Sequence, residues 1–383
     1  MFTPDQLEFA AAIEQFCEKH CATAQQRDAL TDGGRLSNSP EILSRFAELG
    51  WLGVSLPVEY GGGGAGMVEE CIFLEETARG LAPIHAYGTG LTAAQTYLRH
   101  GDEQQKKEVL GNLCSGHFEA IALSEPGAGS DLSGVTTKAV RDGDRFVVNG
   151  QKTWITAAHL ADHLLVLTRT DPTAGKHNGL TLLYLPTTSP GLDVRPIQTM
   201  DGHTVNDVFF TDVSVPVANV VGGIGDAWHR LMRGLNVERL IIAAMSLGAA
   251  RRSLEDTIAY VRTREQFGKP IGTFQAVRHT IADLATKLEA ARLLVYAAAS
   301  AIDGGSDPRE QTRRSAMAKL FATESAQEIV DACVQFHGAV ALRRGQLLEH
   351  LYRDVRSLRI YEGASEIQRT IIAREIIGQR STG

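Results

Sequence analysis

The strongest constraint on the fold is that the hydrophobic period changes twice along the chain. Phe9, Ile13, Phe16 and Cys17 recur at helical spacing and form one apolar stripe. Ser39 and Pro40 open a second helix carrying Ile42, Leu43, Phe46 and Leu49, which Gly50 closes. A third helix is expected over 67–80, after the glycine-rich EYGGGGAG, and two more near 84–99 and 102–114. From 118 to about 221 the pattern shortens to the strand-like runs FEAIAL, TTKAV, RFVV, KTWIT, HLLVLTRT, LTLLYL, DVRPI and DVFFTDVSV. Asp142-Gly143 and Asn149-Gly150 both read as hairpin turns. No long helical pattern separates these strands, so the expectation is an antiparallel barrel or sandwich, without parallel crossover units. The helical period then returns over about 228–264, 274–303, 308–336 and 346–357, with a last helix after YEGAS; long helices with short links suggest a four-helix bundle. The expected fold class is α+β with three domains: helical over 1–117, β over 118–225 and a helical bundle over 226–383.

Bulk properties narrow the function classes. A chain of 383 residues is longer than one core usually organises. A formal net charge of −7 and a charged share of 22% give no reason to expect nucleic acid or an anionic membrane as partner. No run of 18 apolar residues exists to span a membrane. The N-terminus lacks the basic start and apolar block of a signal peptide; Thr3, Pro4 and Gln6 look instead like a capping box. Cys17, Cys21, Cys71, Cys114 and Cys333 form an odd, scattered set, as expected of unpaired thiols in a reducing cytoplasm. Cys17 and Cys21, one helical turn apart, read as core packing. His159 and His163 share that spacing with no carboxylate or cysteine cluster near them in sequence, so no metal site is expected.

Four segments carry candidate chemistry. ALSEPGAGSDLSG (122–134) enters a Gly/Ser/Pro loop that lets backbone approach a flat or phosphorylated ligand, with Ser124 and Ser130 as donors; the glycines alone suit an ordinary surface turn. NGQKTWIT puts Trp154 and Thr156 on one face of a strand, which suits a planar heterocycle needing stacking and an edge hydrogen bond; the residues alone favour a core tryptophan. Glu238, beside Arg239 in LNVERL, and Glu362 in RIYEGASEIQR are acids among apolar residues; a solvated helix residue and a capping carboxylate are the competing readings. Arg264, Gln275 and Gln335 sit at helix ends.

Taken together, LPVEYGGGGAG, SEPGAGSD, NGQKTWIT, RTREQFGKP and YRDVRSLRIYEGASEIQR resemble the acyl-CoA dehydrogenase family, in order and spacing over essentially the whole chain. The resemblance implies a helical N-terminal domain, a middle β domain and a C-terminal four-helix bundle, with FAD as cofactor. Leu123, Ser124, Ser130, Trp154, Ile155 and Thr156 would serve the isoalloxazine end, Trp154 packing on the ring and Thr156 bonding near its reactive edge. The adenosine end would reach a neighbouring subunit, so Arg264, Phe267, Gln275, Gln335 and Gly338 would serve the neighbour's cofactor. Ala364 and Glu366, opening the last helix, would direct amides at the diphosphate. A cofactor shared in this way implies a homotetramer built as a dimer of dimers.

The reaction implied is α,β-dehydrogenation of an acyl-CoA thioester. Glu362 would take the α proton, flavin N5 the β hydride, and the Glu362 N–H with a ribityl hydroxyl would stabilise the developing enolate. A dry pocket would raise the pKa of the base. Ser130, Asn236, Glu238, Arg239, Tyr361 and Gly363 would line the substrate passage. Glu238 occupies the position used as base in a branch resembling isovaleryl-CoA dehydrogenase, but that branch lacks the acid of YEG; Glu362 is therefore the expected base, and the two acids would titrate as a pair if both face the substrate. Electrons would pass to an electron-transferring flavoprotein. HGAVALRRG departs from the family's glycine-rich run at Ala339, Ala341 and Leu342, Ala364 replaces a common threonine, and WITAAH departs after the threonine. The competing functions are an O2-dependent flavin oxidase or monooxygenase on the same scaffold and a partial subunit of a hetero-oligomer. No motif reports the acyl group.

Overall fold

The computed structural model describes residues 2–200 and 202–378, apart from the side chains of Met232 and Arg233. Its α-helices are α1 (Pro4–His20), α2 (Ala24–Leu30), α3 (Pro40–Glu48), α4 (Met67–Arg79), α5 (His85–His100), α6 (Glu103–Cys114), α7 (Ala227–Thr263), α8 (Gln275–Asp303), α9 (Pro308–His337), α10 (Leu347–Ser357) and α11 (Ser365–Ile377). The strands are β1 (Glu119–Ala122), β2 (Lys138–Asp142), β3 (Arg145–Thr156), β4 (His163–Arg169), β5 (Leu180–Pro186), β6 (Leu192–Thr199), β7 (Gly202–Pro216) and β8 (Val220–Val221), with a small ribbon of β9 (Glu265–Gln266) and β10 (Lys269–Pro270). The helical, β, helical order is the one the period changes predict. The short α2 was not read from the sequence; the Thr23–Gln26 capping box that starts it was its signal.

The chain divides into two compact units, one holding residues 1–34, 66–83 and 236–383, the other 35–65 and 84–235. In the first unit the Thr3–Gln6 capping box forms as expected, with the Gln6 N–H 3.2 Å from Thr3 Oγ1 and the Thr3 N–H 2.9 Å from Gln6 Oε1. Helix α1 turns Ile13 and Cys17 inward and packs on α4, α4 packs on α8, α8 on α9, and α9 on α10 and α11. Helices α7 and α4 approach closely at Gly248, where a β-carbon would lie 2.2 Å from the Glu75 carbonyl oxygen. Glu75 is fully buried and accepts from Arg292 Nε (2.9 Å) and the Tyr296 hydroxyl (2.7 Å). Buried charge is tolerated there because it is paired and hydrogen-bonded.

The second unit is organised by an eight-stranded sheet in the order β6-β7-β3-β2-β4-β5-β8, with β1 beside β4. Most pairs are antiparallel, but β1 lies parallel to β4, Ala120 opposite Leu164 and Ala122 opposite Val166. The antiparallel expectation is corrected there and at Lys138 opposite Arg169, where β2 also runs parallel to β4: the β2–β3 hairpin lies between β1 and β4 in the chain and supplies the return without a helix. The Asp142-Gly143 hairpin forms, with Gly143 at φ 61°. Asn149-Gly150 does not turn. RFVV and KTWIT are one strand, and Gly150 sits at a bulge where the pairing with β7 shifts register. The Asn149 side chain exchanges two hydrogen bonds with Asp212, at φ 50° on β7, and this cross-strand pair takes the amide that a turn would have used. Leu49 was expected on the buried stripe of α3 and is 49% exposed, whereas Ile42, Leu43 and Phe46 are buried; it follows the last helical residue and falls off the stripe.

Candidate active site

The acids expected to act come together in the first unit. Glu238 lies on α7, in a stretch where Val237, Leu240, Ile241 and Ala244 are also buried. Its carboxyl lies near that of Glu362, close enough for the two to interact. Burial pushes the Glu238 carboxyl well up, and the Glu362 charge beside it pushes further, against Arg239 and Lys319. Burial and the neighbouring charge thus favour the protonated form of Glu238. Arg239 is buried and donates to Asn236 Oδ1 at 2.7 Å, and Asn236 donates to Thr312 Oγ1 at 3.2 Å. Desolvation lowers the Arg239 pKa to about 10, with Glu238 pulling the other way and Arg374 adding to the fall, so the guanidinium remains charged.

Glu362 follows α10 in a turn where it adopts φ 54° and Gly363 φ 79°. The left-handed conformation is free for Gly363 but costly for Glu362 unless neighbours over-determine it. The carbonyls of the turn face two fully buried side chains. Lys319 Nζ on α9 donates to Tyr361 O (3.0 Å) and Gly363 O (2.9 Å), and Gln368 Nε2 on α11 donates to Glu362 O (3.1 Å) and Gly363 O (2.9 Å). Helix α11 begins without a side-chain cap at Ala364, and Ser365 Oγ turns to Glu324 Oε1 at 2.6 Å. Glu366 and Tyr361 are exposed. Neither Lys319 nor Gln368 was singled out from the sequence. Lys319 had a signal: a lysine in register with Ser315, Ala322 and Ala326 on the stripe that α9 buries.

At the end of α7, Arg264 and Phe267 lie on the β9–β10 ribbon; Arg264 is exposed and Phe267 is 93% exposed at φ 54°. Gln275 opens α8 and is also exposed, 3.4 Å from the His279 ring through its amide nitrogen. Tyr260 stacks on His337 with centroids 4.0 Å apart, which brings exposed Gln335 and Gly338 to the same end of the unit.

The second unit carries the other predicted set. Along β3 the pairing with β7 shifts register between Lys152 and Ile155. Lys152, Thr153 and Ile155 point inward, while Trp154 adopts φ 62° and stays 59% exposed. Thr156 is half-buried. Trp154 is therefore exposed rather than a core residue, with half-buried Thr156 two positions on. Ile155 packs in the sheet core and its carbonyl accepts from Asn206 Nδ2 at 3.0 Å. Leu123 and Ser124 are half-buried and Ser130 is exposed. The Ser124 carbonyl accepts from the Thr153 N–H at 3.0 Å, and Glu125 and Ala128 exchange two backbone hydrogen bonds of 3.0 Å that make the loop a tight turn.

That turn is anchored by a pair the sequence reading passed over although both residues lie in its motifs. Buried Lys152 donates to Glu125 Oε1 (2.8 Å) and Leu123 O (2.9 Å), and Glu125 also accepts from Thr136 N (2.7 Å) and Thr137 N (2.9 Å). Burial alone would raise the Glu125 pKa, but Lys152 and the threonine bonds outweigh it and hold it at about 2. Desolvation brings Lys152 down to about 8 despite Glu125. Both groups are charged at neutral pH.

Three family descriptions match the chain: acyl-CoA dehydrogenase N-terminal domain over residues 3–117, middle domain over 120–213 and C-terminal domain over 225–377. The chain belongs to the acyl-CoA dehydrogenase family. It is 36% identical to a subunit of a caffeyl-CoA reductase–Etf complex from Acetobacterium woodii, over 94% of each chain. An acyl-CoA dehydrogenase from Geobacillus kaustophilus superposes with a TM-score of 0.90 at 30% identity, covering 98% of both chains. A glutaryl-CoA dehydrogenase from Mycobacterium smegmatis in complex with FADH2 gives 0.89 at 26%, covering 100% of this chain and 97% of that one. Members of the acyl-CoA dehydrogenase family are FAD-binding oxidoreductases, and this chain is one of them. Its residues fit the cofactor: the β3 bulge leaves a tryptophan face outward with a hydroxyl two residues on, as a planar ring requires. Among the described residues no helix is long and apolar enough to cross a membrane, and no cluster of candidate metal ligands occurs.

Proposed function

We propose that this chain removes an α proton and a β hydride from an acyl-CoA thioester, with Glu362 as the base. The observation that carries the reading is that Glu362 is set beside buried Glu238, whose protonated form is favoured by burial and by the Glu362 charge, so that Glu362 is the acid of the two placed to take the substrate's proton. Glu238 would stand beside the base as its positioning neighbour, and Arg239 and Asn236 would line the thioester's approach. The main-chain N–H of Glu362 would meet the thioester carbonyl oxygen, where charge develops as the α proton leaves. Trp154 and Thr156 would present the flavin ring, with Ser124 and Leu123 at its edge, and Ser130 would line the passage. Bound FAD supplies the hydride acceptor for the β carbon. The exposure of Arg264, Phe267, Gln275, Gln335 and Gly338 supports their serving a neighbouring subunit's cofactor in a homotetramer. Electron-transferring flavoprotein is the proposed electron partner, because a relative is a subunit of a reductase–Etf complex.

The same relative supports a second reading, in which the chain works in the reducing direction. Protonated Glu362 would then return a proton to the α carbon of an enoyl-CoA. Titrating the FAD-loaded protein anaerobically with saturated and α,β-unsaturated acyl-CoAs, starting from oxidised or reduced flavin, separates the two. Glu362→Gln should lower the rate about 10²–10⁴-fold, and Glu238→Gln should slow it less, since glutamine resembles the protonated acid in shape and polarity. Equal losses in both variants would contradict the assignment of roles.

A further inference from the structure

We propose that Lys319 is the positioning residue of Glu362, clamping the carbonyls on either side of it so that the carboxylate meets the substrate's α proton. The inference rests on Glu362 being the base. Lys319 is fully buried on α9 and its ammonium spans Tyr361 O and Gly363 O at 3.0 and 2.9 Å. With Gln368 holding Glu362 O and Gly363 O from α11, three consecutive carbonyls are fixed by two helices. The left-handed conformation of Glu362 is of the kind that persists only under such restraint. An alkyl side chain of equal length would fill the space and leave the Tyr361 carbonyl without this donor.

The clamp is charged as well as hydrogen-bonded. Lys319 faces Glu362, Arg239, Glu238 and Glu324. Burial lowers its pKa to about 8, Glu362 opposes that fall most strongly, Arg239 adds to it, and the other two acids oppose it. Through pH 8 the clamp therefore loses its positive charge beside the base.

The test uses FAD-loaded enzyme as purified, with butyryl-, octanoyl- and phenylpropionyl-CoA as probes, the most reactive being carried forward. Lys319→Met should reduce kcat, and the rate of α-proton exchange into D2O, about 100-fold, while KM changes less than about threefold and flavin content is kept. Lys319→Arg should recover part of kcat. In the unsubstituted enzyme kcat should fall as pH rises past about 8, and Lys319→Arg should remove that limb. A flat kcat from pH 7 to 9.5, or a Lys319→Met enzyme with unchanged kcat, overturns the clamp. The pH profile decides even if Lys319→Met does not fold. Glu362→Gln runs in parallel. If it keeps full activity, the base assignment itself falls; if it is inactive while Lys319→Met is not impaired, the clamp alone is wrong.

Discussion

At the scale of single residues, this fold places ionisable groups where water cannot reach them and lets neighbours decide their charge. Glu119 on β1 shows it away from the proposed chemistry. Burial raises its pKa to about 8, the bond donated by the Tyr97 hydroxyl opposes the rise, and Glu108 adds to it. The folded state therefore binds this proton more tightly than the unfolded chain. The stabilisation is complete below the ordinary carboxylate pKa of ~4.3 and is lost as pH rises through about 8. Glu119→Gln should flatten the decline in stability between pH 5 and 8 when urea midpoints are compared, and an unchanged slope would contradict it. Residues of this kind were partly legible. Glu362 and Glu238 stood out as acids in apolar surroundings, but that they lie near each other depends on α7 meeting the turn before α11, which no local pattern encodes. Lys319 and Gln368 were missed for the same reason: their partners are main-chain carbonyls 44 and 5 residues away, and a carbonyl leaves no trace in a sequence.

At the scale of elements, β3 decides where a flavin ring could lie. Two irregularities interrupt its pairing with β7, one at Gly150 and one between Lys152 and Ile155, and the second turns Trp154 outward. A β-carbon on Gly150 would fall 2.6 Å from Thr137 Oγ1 and 2.8 Å from Thr137 Cα, at φ 150°, so Gly150→Ala should destabilise the protein by about 1–3 kcal/mol, measured by denaturant unfolding. Lys152→Met would leave Glu125 buried and unpaired, a change of about 3–5 kcal/mol, and should release the Glu125–Ala128 turn and with it FAD content. Retention of full flavin by that variant would contradict the role given to the pair. The helices were legible almost to their ends because their caps and stripes are local. The strands were legible as runs, but Asn149-Gly150 misled: a dipeptide that favours a turn also suits a bulge, and the partner strand chose between them.

For the whole molecule, period alone separated two helical regions from a β region, and five motifs in register carried the family. The division into compact units at 34, 65, 83 and 235 was not legible, because it follows which helices pack together, and α4 joins α1 and α2 with the chain from 236 onward. FAD bound only by the folded chain should raise its melting temperature in proportion to the logarithm of free FAD concentration, and stripping the cofactor should reverse this in a thermal scan.

The central claim is that Glu362 moves the α proton of an acyl thioester. It is tested most directly by anaerobic titration of the FAD-loaded enzyme with an acyl-CoA panel, followed at the oxidised-flavin absorbance, for the unsubstituted chain, Glu362→Gln and Glu238→Gln. The account predicts bleaching by one class of thioester, abolished by Glu362→Gln and only slowed by Glu238→Gln. Bleaching that survives Glu362→Gln at full rate, or a flavin that no saturated thioester reduces and no unsaturated one reoxidises, would contradict it.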